Sequence, residues 1–118
     1  MFEEMLQQLV RAVPGATGAI FADWEGECVA YYCLYDEYEL KVIAAHKGII
    51  MTHMRDIHDQ LAPGEMQEAV ITTESQHVIT GAITRDYSLV MTMARDGVLG
   101  RALYHFRKTV AGLRKEIE

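Results

Sequence analysis

Residues 66–117, MQEAVITTESQHVITGAITRDYSLVMTMARDGVLGRALYHFRKTVAGLRKEI, determine how this chain of 118 residues folds. Three runs of β-type residues, at about 66–73, 77–84 and 87–94, are separated by short polar turns. After Arg95-Asp96-Gly97, apolar residues recur at alternating spacings of four and three, which is the period of one helix face. These residues are Leu99, Leu103, Phe106, Val110, Leu113 and Ile117. The stretch therefore predicts three strands followed by a helix.

The first third of the chain predicts a helix followed by two strands. Pro14-Gly15 ends the helix, because proline cannot continue a helical hydrogen-bond ladder. Residues 16–22 and 28–35 predict strands joined by a turn at 23–27, in which Gly26 takes the left-handed position. The second strand is apolar on both faces, so we expect both to be covered. The helix has its apolar stripe at Phe2, Met5, Leu6, Leu9, Val10 and Val13.

The middle of the chain predicts one long helix, from about Asp36 to Leu61, ended by Ala62-Pro63-Gly64. Its acidic start suits the positive end of the helix dipole. One stripe is enough to cover a sheet, but this helix has two, so we expect it also to touch a partner or a loop of its own chain. The main stripe is Ile43, Ile50, Met54, Ile57 and Leu61. The second is Val42, Ala45 and Ile49, and it continues through His46 and His53.

Five strands and three helices predict a single α/β layered (α+β) domain over residues 1–118, with helices on both sheet faces. Half of the residues are hydrophobic and 24% are charged, which is ordinary for one globular domain. No apolar run approaches the roughly 18 to 20 residues that span a bilayer. The acidic start Met1-Phe2-Glu3-Glu4 is unlike a secretory signal. We therefore expect an intracellular, cytoplasmic protein.

The net charge of −6 argues against general nucleic-acid binding, which needs a basic domain with clustered cations. The basic residues of the last helix are the exception, and we expect them to form a solvated face with cations near the helix end. Cys28 and Cys33 lie in one predicted strand at an odd separation, which predicts opposite faces and therefore two free thiols.

No catalytic or metal-binding motif is present. The sequence has no glycine-rich phosphate loop, and neither of its two serines, Ser75 and Ser88, lies in a nucleophile elbow. The histidines of the long helix, at positions 46, 53 and 58, cannot converge on one ion and match no common zinc pattern. We therefore expect no metal and no cofactor. Trp24 lies in a charged turn, where it is either an anchor for a partner or folds back on its own hairpin.

Several segments resemble a known family. They are the opening Phe2-Glu-Glu-Met-Leu-Gln-Gln-Leu-Val, the stretch Val13-Pro-Gly-Ala-Thr-Gly-Ala-Ile-Phe-Ala, the hairpin Asp23-Trp-Glu-Gly, the helix from Tyr38 and the closing hairpin with its helix. In the order and length of these elements and in glycine placement, residues 2–117 resemble the roadblock/dynein light chain family, and in particular its bacterial regulators of small GTPases.

The resemblance implies a roadblock-like, profilin-like antiparallel sheet of five strands in the order 2-1-5-4-3. The first and last helices cover one face, and the central helix covers the other. It also implies a dimer in which the third strands pair edge to edge and the central helices lie side by side. This agrees with the second stripe of the central helix, and with the exposed edge that the third strand would otherwise leave.

The resemblance further implies a non-catalytic regulator or scaffold, not an enzyme. We expect a homodimer that binds a Ras-like small GTPase and modulates its GTP hydrolysis. No arginine stands out as a finger toward a γ-phosphate, so stimulation would act through the switch segments of the GTPase. The expected dimer-interface residues are Val42, Ala45, His46, Ile49, His53, Glu68, Val70 and Thr72. The expected partner-binding residues are Tyr38, Lys41, Arg55 and Trp24.

Two other interpretations stay open. The first is a pure assembly module, a dimer that bridges other proteins through the same helix face without touching a GTPase. The second is a small-ligand sensor, since layered domains of this kind can enclose a ligand between sheet and helix. Its pocket would be lined by Tyr31, Tyr32, Met91 or Met93, although such residues at strand spacing are more often core.

Overall fold

The computed structural model describes residues 1–61 and 63–118, and it has the predicted order of helices and strands. Ala62, part of the predicted end of the long helix, lies outside the described residues. The elements are α1 (Phe2–Ala12), β1 (Ala16–Asp23), β2 (Cys28–Cys33), α2 (Glu37–Leu61), β3 (Glu68–Thr72), β4 (Gln76–Ala82), β5 (Tyr87–Ala94) and α3 (Leu99–Ile117).

The five strands form one antiparallel sheet in the order β2-β1-β5-β4-β3, as the resemblance predicted. Ile20 of β1, at the centre, lies opposite Tyr31 of β2 and Val90 of β5. Gly26 has a φ of 94° in the β1–β2 turn, which confirms its predicted left-handed position. Strands β2 and β3 are the two edges of the sheet.

Helices cover both faces of the sheet, also as predicted. On one face, α1 and α3 enclose the larger core, into which Phe21, Leu89 and Met91 point. On the other face, α2 packs Leu40 and Ala44 against a smaller cluster. The alternation of side chains along each central strand supplies both cores, since successive residues point to opposite faces.

The face of α2 that lies on the sheet is not the predicted main stripe. The buried residues are Leu40, Ala44, Gly48 and Met51. Of the predicted stripe, Met54, Ile57 and Leu61 are 42%, 58% and 79% exposed. Ala44 and Gly48 are small, and a hydrophobic pattern gives such positions little weight. The prediction that this stripe would cover the sheet was therefore wrong.

The prediction for the two cysteines was right in its outcome and wrong in its reason. Both thiols are free, but Cys28 and Cys33 pack against the same cluster beneath α2. A β-bulge causes this: Phe21 pairs with Ala30 and Ala22 pairs with Cys28, so Val29 is an extra residue. The thiols stay apart because their partners on β1 are four residues apart, roughly 13 Å. Val29 is exposed, so β2 is not covered along its whole length as predicted.

Gly81 lies beneath the ring of Phe106, which is fully buried. A methyl group at Gly81 would meet the Phe106 ring at 2.6 Å, whereas one at Gly100 would meet nothing within 4 Å. We predict that Gly81→Ala lowers the free energy of unfolding by about 1–3 kcal/mol through overpacking. Gly100→Ala, in the first turn of α3, should leave it unchanged or raise it by up to about 1 kcal/mol. Urea denaturation measures both, and equal midpoints for the two variants would contradict this packing.

Candidate functional site

Strand β3 presents a row of backbone groups that its own sheet does not use. The N–H of Ala82 donates to the carbonyl of Gln67 (2.9 Å), and the N–H of Thr73 donates to the carbonyl of Gln76 (2.9 Å). In an antiparallel ladder, bonding alternates along the strand, so the odd-numbered residues of β3 bond to β4. The even-numbered residues point their N–H and carbonyl groups outward. They are Glu68, Val70 and Thr72.

The side chains of β3 hold this edge in place. The Arg107 guanidinium of α3 donates to the Glu68 carboxylate. The hydroxyl of Thr72 and Nδ1 of the buried His77 are 2.8 Å apart. At the other side of the ring, His77 Nε2–H donates to the Arg95 carbonyl (2.9 Å). The free edge is therefore held by α3 at Glu68 and by β4 at Thr72, while Val70 at its centre is 37% exposed.

The second part of the site is the outer face of α2, which points away from the sheet. It comprises Tyr38, Val42, His46, Ile49 and His53, all exposed. On a helix with 100° per residue, these positions lie opposite the buried Leu40, Ala44 and Met51. The face combines large apolar side chains with two imidazoles, an unusual composition for a surface that stays in water.

One side of α2 contacts the β1–β2 hairpin. A side chain at Gly26 would meet Ala45 at 3.4 Å, and the Arg55 guanidinium lies 4.6 Å from the centre of the Trp24 ring. Trp24 is half-buried, and its indole nitrogen is enclosed without a hydrogen-bond partner among the described residues. The ring therefore lies against Arg55 of α2, whereas the sequence offered its own hairpin or a partner as the contact.

The other side of α2 faces away from the hairpin. We call this surface the α2 flank; it consists of Ile43, Ile50, Met54, Ile57 and Leu61. Ile43 packs against the core, whereas the residues toward the helix end are increasingly exposed. These residues were predicted from the sequence to belong to the core of the chain itself. The small residues Ala44 and Gly48 were the one sequence signal that a different face of α2 is buried against the sheet.

Beside the start of α2, the side chains of Glu37, Lys41 and, from β2, Tyr31 form a compact polar group. Lys41 Nζ lies 3.3 Å from Glu37 Oε2 and 4.9 Å from the centre of the Tyr31 ring. Glu37 also raises the pKa of Tyr31 to about 12, while Tyr31 and then Lys41 lower the pKa of Glu37. All three groups are partly or fully exposed, so this is a polar border beside Tyr38 rather than a source of stability.

The four residues proposed for a small-ligand pocket do not surround one space. Tyr31 packs on the α2 side of the sheet, and Tyr32 packs on the α1–α3 side. Met91 and Met93 are fully buried in the larger core with Tyr32. Within the part of the chain that the structure describes, no group of three or more His, Cys, Asp or Glu residues is placed to hold a metal ion. Among the helices described, none is long and apolar enough to cross a membrane.

Comparison with known proteins identifies the fold. No protein-family profile and no curated protein matches the sequence. Among solved structures, the Roadblock/LC7 domain from Streptomyces avermitilis has a TM-score of 0.88 and 17% identity over 98% of this chain and 96% of that chain. The gliding protein MglB from Thermus thermophilus has a TM-score of 0.85 and 18% identity over 97% and 86%. Profilin IB from Acanthamoeba castellanii has a TM-score of 0.69 and 14% identity over the whole of both chains.

These identities are low, so the likeness concerns the fold. The strand order and the sequence of helices and strands in this chain are consistent with that fold. The resemblance seen in the sequence is thereby confirmed in structure: this chain has the roadblock/LC7 fold, whose sheet it shares with the profilins.

Proposed function

We propose that the protein is a non-catalytic homodimer that binds a Ras-like small GTPase and modulates its GTP hydrolysis. The observation that carries the proposal is that the chain leaves both the β3 edge and the α2 flank uncovered. An unpaired edge strand is prone to pair with another chain. A second copy would cover both features at once.

The β3 edge favours one pairing. A two-fold axis through Val70 sets Val70 against its copy and Glu68 against the partner's Thr72. All outward groups of the strand then find partners, with roughly six backbone hydrogen bonds. An axis through Glu68 would instead set two carboxylates opposite each other, which is unfavourable. We therefore propose Val70 as the centre of the interface, with Glu68 and Thr72 on either side.

The α2 flank completes the interface. When two β3 edges pair, the flank of each copy faces the other across the joint sheet. Burying Ile50, Met54, Ile57 and Leu61 together with the strand edges would cover on the order of 1,200–2,000 Å², the size of a standard stable interface. In this dimer, the α2 flank makes much of the contact that was predicted from the sequence for Val42, Ala45 and Ile49.

The α2 outer face is then left for the GTPase. In such a dimer the two outer faces lie beside each other on the joint sheet, with Lys41 at the border. Exposed Tyr38, Val42 and Ile49 offer apolar contact, and the histidines offer hydrogen bonds. A surface of this kind fits mobile protein segments such as GTPase switches better than it fits a phosphate. The resemblance to bacterial regulators of small GTPases supports this partner. The contact between Arg55 and Trp24 lies on the hairpin side of α2, next to the outer face.

We predict that Val70→Pro converts the dimer into a folded monomer. The Val70 N–H points away from β4, so proline removes a donor of the dimer interface and none of the internal ladder. Light scattering should give 13.3 kDa for the variant and twice that mass for the wild type at micromolar concentration. Circular dichroism checks that the variant is folded.

Val70→Thr is the matched control, since it keeps the N–H and a β-branched side chain; it should stay dimeric. A wild-type protein that is a stable monomer at micromolar concentration would exclude the interface altogether. A dimer that survives Val70→Pro would show that the copies meet elsewhere.

We predict that Ile49→Glu abolishes binding of the GTPase and leaves the dimer intact. The variant places a charge at the centre of the α2 outer face, where a loss of roughly tenfold or more in affinity is expected. The measurement is co-elution with purified Ras-like GTPases of the source organism, each loaded with GDP or a GTP analogue. Val98→Glu, an exposed apolar position at the start of α3 on the other sheet face, is the control and should bind normally.

If no GTPase co-elutes in either nucleotide state while the dimer forms, the pure assembly module is the correct interpretation. Equal binding by Ile49→Glu and wild type would instead place the GTPase on another surface.

A further inference from the structure

Helix α3 carries a row of cations that nothing in the described chain neutralises. The row, which we call the α3 seam, consists of Arg101, Tyr104, Lys108, Ala111 and Lys115, all exposed. Among the described residues, the ion pairs are Lys41–Glu37, Arg85–Glu65 and Arg107–Glu68, and none of these involves a seam cation. The seam lies on the sheet face opposite to α2, away from the proposed GTPase surface.

An ordinary solvated helix face does not account for this row. Such faces mix both signs of charge, often as opposite charges four residues apart. Helix α3 has its acidic residues only at its end, at Glu116 and beyond, and it has none in its first turn. The helix dipole favours Lys115 near the C-terminus, but it disfavours Arg101 in the first turn. The helix dipole therefore does not explain the position of Arg101.

The spacing of the seam has the period of a helix–helix contact. Arg101, Lys108 and Lys115 are seven residues apart, and Tyr104 and Ala111 follow three residues after the first two. These positions form one continuous strip along ~21 Å of helix, with cations at the positions where a coiled coil would have apolar residues. The flanking Arg107 and Arg114 are engaged within the chain, Arg107 by the Glu68 carboxylate and Arg114 by the Ile83 carbonyl, so the uncompensated cations of this face are those of the seam.

Tyr104 gives the seam an apolar anchor. It is 59% exposed, and Lys108 Nζ lies 5.2 Å from the centre of its ring. The edge of the neighbouring His105 ring packs against it, with the ring centres 5.2 Å apart. Aromatic side chains held in this way are common energetic centres of interfaces. The small Ala111 two turns further leaves room for a larger apolar residue of a partner.

We propose that the α3 seam binds an acidic amphipathic helix of another protein. Its carboxylates would recur every seven residues opposite Arg101, Lys108 and Lys115, and apolar side chains between them would meet Tyr104 and Ala111. Nucleic acid is a poorer fit, because the chain has a net charge of −6 and Glu3 and Glu4 are exposed on α1, the other helix of this layer. The proposal does not depend on the dimer or on the GTPase.

The test uses a fluorescent synthetic helix of about three heptads, with glutamates and leucines at the positions stated above. We expect binding to the full chain at about 50 mM salt and a dissociation constant at least roughly tenfold higher at about 500 mM. The triple charge reversal Arg101→Glu, Lys108→Glu, Lys115→Glu should abolish binding. Tyr104→Ala should weaken it at both salt concentrations. Lys47→Glu, on the opposite sheet face, is the matched control and should bind as wild type.

A second readout locates the contact. Amide chemical shifts of the labelled protein should change along α3 and not along α2. Equal binding of a peptide with the same composition in scrambled order would overturn the proposal, because it would show a charge effect without helix recognition. Binding to anionic vesicles in the absence of peptide binding would also overturn it and assign the seam to membranes.

Discussion

The pairing of β1 with β5 is the interaction on which the rest of the structure depends. These two strands lie at the centre of the sheet, and both are buried on both faces. Ile20 and Val90 point to one core, while Phe21 and Leu89 point to the other. Both helix layers therefore pack against the same two strands. The remaining strands are added outward from this pair, which leaves β2 and β3 at the edges.

The two faces of the sheet differ in polarity, and this difference accompanies the exposed surfaces of α2. The α1–α3 face is almost entirely apolar. The α2 face includes three buried polar residues, Thr80, Ser88 and Thr92. The hydroxyl of Thr92 lies 2.8 Å from that of Thr17 and 3.2 Å from that of Tyr35. With less apolar surface available beneath it, α2 buries little of its length and keeps much of its hydrophobic surface outside.

The order of elements could be predicted from the sequence, because strong local signals agreed with one another. The order of the strands in the sheet was implied only by the resemblance to the roadblock/dynein light chain family. The stripe of α3, the breaker Pro14-Gly15 and the turn glycine Gly26 each concern residues close together in the chain. What could not be predicted depends on contacts between distant residues. The bulge at Val29 exists only in the pairing of β1 with β2. The bond between Glu68 and Arg107 joins residues 39 apart. The sheet-facing side of α2 was missed because Ala44 and Gly48 matter through their small size.

The bulge in β2 also affects whether further copies of the chain can pair with the sheet at its second edge. A sheet with two regular edges can add copies at both, and such head-to-tail growth produces open fibres. Here only β3 is regular, whereas the extra residue at Val29 bends β2 and interrupts the spacing that an incoming strand needs. In the proposed dimer, β3 would pair with a second copy, and the irregular β2 edge would be a poorer template for a further one. The extra residue Val29 would then favour a closed pair over an open chain of copies.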